Sequence, residues 1–239
     1  MAIMRIEPRS PARGEGEGGL LLLQAWLSPA FPVGGYSYSH GLEQAVEAGL
    51  VPDRAALLDW IDGVLTLGAG RNDALLIREI HAATLEGDMP RCAEIAALAA
   101  ALRGTAELSL EAGAQGAAFL KALAAGWPDL AVRPPLSGMR TPTYAVVFGA
   151  AAALAGIPAR AAILAYLQAF AANLISAALR LMPIGQSDGL ALLARIGSTL
   201  PAQVDALETV PFADLGSAAL MVDLCSARHE TQYTRLFRS

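Results

Sequence analysis

Residues 161–179, AAILAYLQAFAANLISAAL, run for nineteen positions without a formal charge. A helix of that length rises about 28 Å, close to the hydrocarbon thickness of a bilayer. Only two settings suit such a segment: a membrane, or a helix enclosed by other protein. Gln168 and Asn173 interrupt the run, and alanine, its commonest residue, contributes little to insertion. No aromatic belts and no lysine or arginine asymmetry flank it. The expectation is a central core helix or a self-association face, with a helical membrane protein as the alternative.

The rest of the chain must then supply helices to enclose it. Hydrophobic residues make up 54% of the 239 positions and charged residues 16%, with alanine and leucine dominant, a composition that favours helix over strand. No period-2 alternation argues for a strand. Helices are predicted over residues 20–27, 36–48, 53–67, 72–86, 90–103, 105–125, 142–156, 158–182 and 187–200, with a last piece from about 211 into the tail. Glycine, proline and capping residues set these limits: Asp53 as an N-cap, Gly49 and Gly87 as stops, Thr141-Pro142 and Pro158 as starts. The proline-rich stretch 127–142 is the widest gap and a possible hinge. Because most connections are short, the fold class is all-α, a single-domain bundle of about nine to ten helices packed largely as antiparallel neighbours. Residues 1–19 read as a flexible leader without a signal-peptide apolar run, 20–225 as the helical domain and 226–239 as a distinct tail.

Charge excludes some partners. Seventeen basic against 22 acidic residues leave a net charge of -5, which gives no basic field for nucleic acid. Cys92 and Cys225 are the two cysteines and show no pairing pattern, which fits a reducing compartment, the cytoplasm by default.

Three stretches invite chemistry. In SPAFPVGGYSYSHGLEQAVEAG, residues 28–49, the prolines and the Gly34-Gly35 pair bend the chain sharply before Tyr36. On the helix expected after it, His40, Glu43, Gln44 and Glu47 share one face. That face reads as solvated or hydrogen-bonded to another helix, and alternatively as half of a metal or acid–base site in a small metal-dependent enzyme. Cys225 and His229, four apart, form a weak soft-metal pair, against which stands a buried cysteine beside a surface histidine. His81 reads as a core or boundary residue. Ser37 lacks the G-x-S-x-G frame of a hydrolase, and no phosphate-binding glycine loop occurs. No catalytic constellation emerges. The tail, SARHETQYTRLFRS, is basic and aromatic, and Tyr233, Leu236 and Phe237 are expected to line one stripe of a helix. Arginine and tyrosine favour interfaces, the alternative being a tail docked on its own domain.

These stretches together resemble the urease accessory protein UreF family. The residues that carry the likeness are 28–51 at one end, LMPIGQ at 181–186, TAELSLEAGAQGAAFL at 105–120 and the tail at 226–239. The resemblance implies an all-helical, cytoplasmic, dimeric scaffold without catalytic turnover or cofactor of its own. It implies partnership with UreD/UreH, with the GTPase UreG that carries nickel, and with apo-urease. By likeness of motif, the partner-contact role falls on Tyr36 and His40, on Arg180 and Gln186 around the central loop, and on Arg228, His229, Glu230, Tyr233 and Arg235 in the tail. Some relatives place lysine where Arg180 stands, which changes a point charge into a planar fork.

Overall fold

The computed structural model describes residues 17–239. Among them are ten helices of six residues or more and no strand. In chain order they are α1 (Glu17–Trp26), α2 (Leu42–Glu47), α3 (Arg54–Leu67), α4 (Ala69–Glu86), α5 (Met89–Ala101) and α6 (Ala106–Gly126). A four-residue turn, α7 (Pro128–Ala131), precedes α8 (Tyr144–Leu154), α9 (Ala159–Leu181), α10 (Gln186–Leu207) and α11 (Leu220–His229). The all-α expectation holds.

Helices α3 and α6 start on polar caps. Asp53 accepts from the Ala56 amide at 2.9 Å and Thr105 from the Leu108 amide at 3.1 Å, each satisfying a first-turn donor. Gly87 closes α4 with a left-handed φ of 72°.

At the centre lies α8, whose residues from Ala145 to Ala153 are all buried. It packs on α4 and α6. Gly149 permits the α4 contact, because a Cβ there would stand 2.6 Å from Ile80 Cγ2 and 3.1 Å from Ile77 Cα. Trp26, Phe119, Phe148 and Tyr166 surround this centre, with Trp26 edge-on to Phe119 at 5.8 Å between ring centres. Buried side chains from α1 through α11 join one apolar cluster.

The uncharged stretch is α9. Its length and mean hydropathy of 1.7 satisfy the criteria for a membrane span, yet half of that window is buried inside the chain. It packs against α10, α4, α2, α3 and α8, so the buried half of its apolar length belongs to the chain's own core.

Several limits differ from those expected. Helix α1 begins at Glu17, so the last three residues of the supposed leader are helical, while its residues 1–16 lie outside the described residues. Gly70 does not break α4, because a Cβ there would be only 2.7 Å from Leu65 Cα: glycine is needed for packing, not as a stop. Helix α8 starts at Tyr144 and not at Pro142. Helix α10 starts one residue before Ser187 and runs past Pro201, which sits on an exposed face where water can take the freed carbonyl. Across the proline-rich stretch α6 and α8 pack directly on each other.

Two corrections bear on function. Residues 36–48 do not make one helix. A 3-10 turn at Gly35–Ser37 gives way to extended backbone, then His40 and Gly41 both take left-handed φ values, 57° and 78°, before α2 begins. The tail is not helical beyond His229, so Tyr233, Leu236 and Phe237 share no stripe: Phe237 is buried, whereas Tyr233 and Leu236 are exposed.

Candidate functional site

Residues 230–239 form a strap that folds back over α2 and α6, and three glutamates hold it. Glu43 on α2 accepts from the backbone amides of Leu236 at 2.6 Å and Phe237 at 2.9 Å. Glu107 on α6 accepts from Arg235 at 2.9 Å. One turn along α6, Glu111 accepts from the Ser239 hydroxyl at 2.8 Å. The Ser239 carbonyl accepts from the Ser39 amide at 2.8 Å and from its hydroxyl. Unpaired peptide groups of an irregular segment would be costly to bury, and here the acidic side chains satisfy them.

Beneath the strap, His229 is completely enclosed. Its Nδ1 lies 2.8 Å from Glu107 Oε2 and its Nε2 lies 2.9 Å from Glu43 Oε2. Ionised carboxylates only accept, so this arrangement needs a hydrogen on each ring nitrogen. The close approach of α11 to α2 that makes the sandwich depends on Gly41. A Cβ there would meet the Val222 carbonyl at 3.0 Å and the Ser226 amide at 3.1 Å, on a backbone whose φ already favours glycine.

His40 belongs to the same polar layer. Its Nδ1 is 3.3 Å from Glu111 Oε2, and its ring stands edge-on to Phe170. Burial alone would raise the Glu111 carboxyl, but the His40 charge and hydrogen bond, the Ser239 hydroxyl and Arg103 together hold it below the ordinary carboxylate range. Asp73 pairs with Arg103 at 2.7 Å and accepts from the Tyr166 hydroxyl at 2.8 Å. Burial, followed by the Asp73 charge, pushes that phenol well up.

A cavity of about 320 Å³ adjoins this layer, walled by the loop before Tyr36, by α6 and by α9. Trp26, Phe31, Tyr144 and Phe170 give it an apolar lining, and His40 and Asp73 mark its polar end. The carboxylates here are already occupied: Asp73 by Arg103 and Tyr166, Glu111 by His40, Ser239 and Gln115.

On the outer side, Arg180 ties three motifs together. It donates to the Tyr36 carbonyl at 2.8 Å, and its guanidinium lies 4.2 Å from the centre of the Phe237 ring. The loop, the end of α9 and the strap thus form one continuous surface.

The residues singled out from sequence divide accordingly. Tyr36 (69% exposed), Arg180, Gln186, Arg228, Glu230, Tyr233 and Arg235 are exposed, Gln186 standing at the start of α10 one short loop beyond Arg180. His40 and His229 are buried, which corrects the expectation of a surface histidine in the tail. The polar face containing His40 and Glu43 is likewise not solvated, because α6, α11 and the strap cover it; only Glu47 faces out. The Cys225–His229 pair does not present itself to a metal: both imidazole nitrogens face carboxylates, and burial pushes the Cys225 thiol up despite Arg228. Among the described residues, no group of three or more His, Cys, Asp or Glu side chains is disposed to hold an ion. His81 is buried, with Nε2 2.8 Å from the Ile157 carbonyl.

Glu107, Glu111 and Ser239 carry the site but were not singled out. A signal existed: Glu107, Glu111 and Gln115 recur every four residues on one face of an alanine- and leucine-rich helix, a pattern that asks for buried polar partners.

Comparison with known proteins gives the chain a family. The family model described as UreF matches residues 51–197. The chain is 46% identical over 220 residues to urease accessory protein UreF of Azorhizobium caulinodans, covering 92% of this chain and 95% of that protein. It is 46% identical over 235 residues to the protein of the same name from Granulibacter bethesdensis, covering 98% and 100%. A third, from Methylobacterium sp. strain 4-46, is 48% identical over 221 residues, 92% of this chain and 88% of that one.

Proposed function

This chain belongs to the UreF family of urease accessory proteins, and from that premise we propose that it is a non-catalytic scaffold for nickel insertion into urease. In this reading it bridges UreD/UreH and the GTPase UreG, so that nucleotide hydrolysis is coupled to nickel delivery only when the complex with apo-urease is assembled. It acts in the cytoplasm as a homodimer. A twofold scaffold presents each motif twice, which raises the effective concentration of two GTPase subunits without demanding a strong single contact.

The observation that carries this reading is the joining of three distant motifs on one face by Arg180. Tyr36, Arg228 and Tyr233 are exposed, and Arg235 is exposed while paired with Glu107; these are residue types that anchor interfaces. A metal-dependent enzyme is less well supported, since the His40 and Glu43 side chains that it would use are spent on the strap and its supports. Affinity purification of the chain from cells expressing a complete urease operon tests the proposal. Recovery of UreD/UreH and UreG is expected; recovery of neither from urease-competent cells would overturn it.

A further inference from the structure

Beneath the strap two carboxylates converge on one enclosed imidazole. Glu43 reaches His229 from α2 and Glu107 reaches it from α6, at 2.9 and 2.8 Å, with the imidazole shut off from solvent. Two carboxylates and a neutral imidazole cannot occupy this geometry, because one ring nitrogen would aim a lone pair at an oxygen less than 3 Å away with no water to intervene. The closed geometry therefore calls for one hydrogen more than two carboxylates and a neutral imidazole supply.

The same two carboxylates grip the strap. Glu43 takes the Leu236 and Phe237 amides, and Glu107 takes Arg235. His229 is the last residue of α11, where the strap begins. We propose that Glu43, His229 and Glu107 form a proton-dependent clasp: closing residues 230–239 over α2 and α6 takes up one proton, and the strap loosens as the pH rises and that proton is lost.

Other charged groups approach from the packed elements. From the strap comes Arg235; from α6, one turn beyond Glu107, comes Glu111, already engaged by His40 and Ser239; from α11 come Asp223, partly buried, and the exposed Arg228. Arg235 favours the carboxylates as anions but cannot supply a hydrogen to the imidazole. Ser226, on the same helix, is engaged with Thr105.

The sign follows from linkage. An imidazole open to water sheds its proton near pH 6.5. Above that point a closed strap that retains one proton is disfavoured by up to about tenfold per pH unit, until the closed cluster sheds the proton too. The opening withdraws Phe237 from Arg180 and releases Tyr233 and Arg235 from their fixed positions, so acidity would govern how the outer surface is presented.

Hydrogen exchange of the full chain at pH 6.5, 7.5 and 8.5, corrected for intrinsic rates, tests this. Protection of the Leu236 and Phe237 amides should fall up to about tenfold per pH unit, while protection in α8 stays flat. In Glu107→Gln the carboxamide can donate to a neutral imidazole, so the closed strap no longer needs the proton and the slope should flatten with the strap still protected. The proposal is overturned if wild-type strap protection is constant across the series, if it falls only together with α8, or if a folded Glu107→Gln keeps the wild-type slope. Should that variant fail to fold, as α8 exchange would report, the wild-type series alone decides.

Discussion

At the scale of single residues, the chain separates side chains that hold the strap from side chains that stand free on it. Glu43 belongs to the first kind: truncating it leaves the His229 Nε2 and two strap amides without a partner in a site closed to water. Glu43→Ala should therefore cost about 3–5 kcal/mol, read as a lower urea midpoint. Glu111 makes a different prediction. Its carboxyl is held below the ordinary range, so its stabilisation is complete above that range and is lost as the pH falls through the depressed folded value. In Glu111→Gln the acid limb of the stability–pH curve should be shallower than in wild type. An unchanged limb would show that the His40 and Ser239 contacts add nothing. The sequence announced the tail by residue type and Tyr36 and Arg180 only by likeness of motif, but His229 and Glu43 could be placed only as helical neighbours. Their burial arises from residues more than 180 positions apart in the chain, a distance that local periodicity does not reach.

At the scale of elements, boundaries were legible where a side chain or glycine finishes the helix locally, as at Asp53, Gly87 and Thr105. They were not legible where packing decides. His40 adopts a left-handed φ of 57° that its own sequence does not ask for, with Glu111 and Phe170 fixing its ring. The strap stays irregular because Glu43 takes its amides, although its composition suits an amphipathic helix. Close helix contacts were hidden for the same reason: Gly149 reads as an indifferent glycine in an alanine-rich helix until Ile77 and Ile80 are seen against it. Gly149→Val should overpack the α4–α8 contact and lower stability by about 1–3 kcal/mol or more, measured as a drop in Tm. A Tm within a degree of wild type would mean that these helices can part without loss.

At the scale of the molecule, one core built around α8 and α9 positions a surface assembled from the chain's two ends. The uncharged run of α9 serves this arrangement directly. Its buried side joins the core, and its last turn carries Arg180 to the Tyr36 carbonyl and the Phe237 ring. If that surface recruits partners, exposed aromatic residues on it should matter to assembly and not to folding. Substitutions at exposed positions ordinarily change stability by less than about 0.5 kcal/mol. The decisive measurement is capture of UreD/UreH and UreG by the Tyr36→Ala, Tyr233→Ala double variant against wild type, with helical circular dichroism and Tm recorded on both. The account predicts an unchanged dichroism spectrum and Tm with capture of at least one partner reduced tenfold or more. Full capture of both partners by a correctly folded double variant would contradict it.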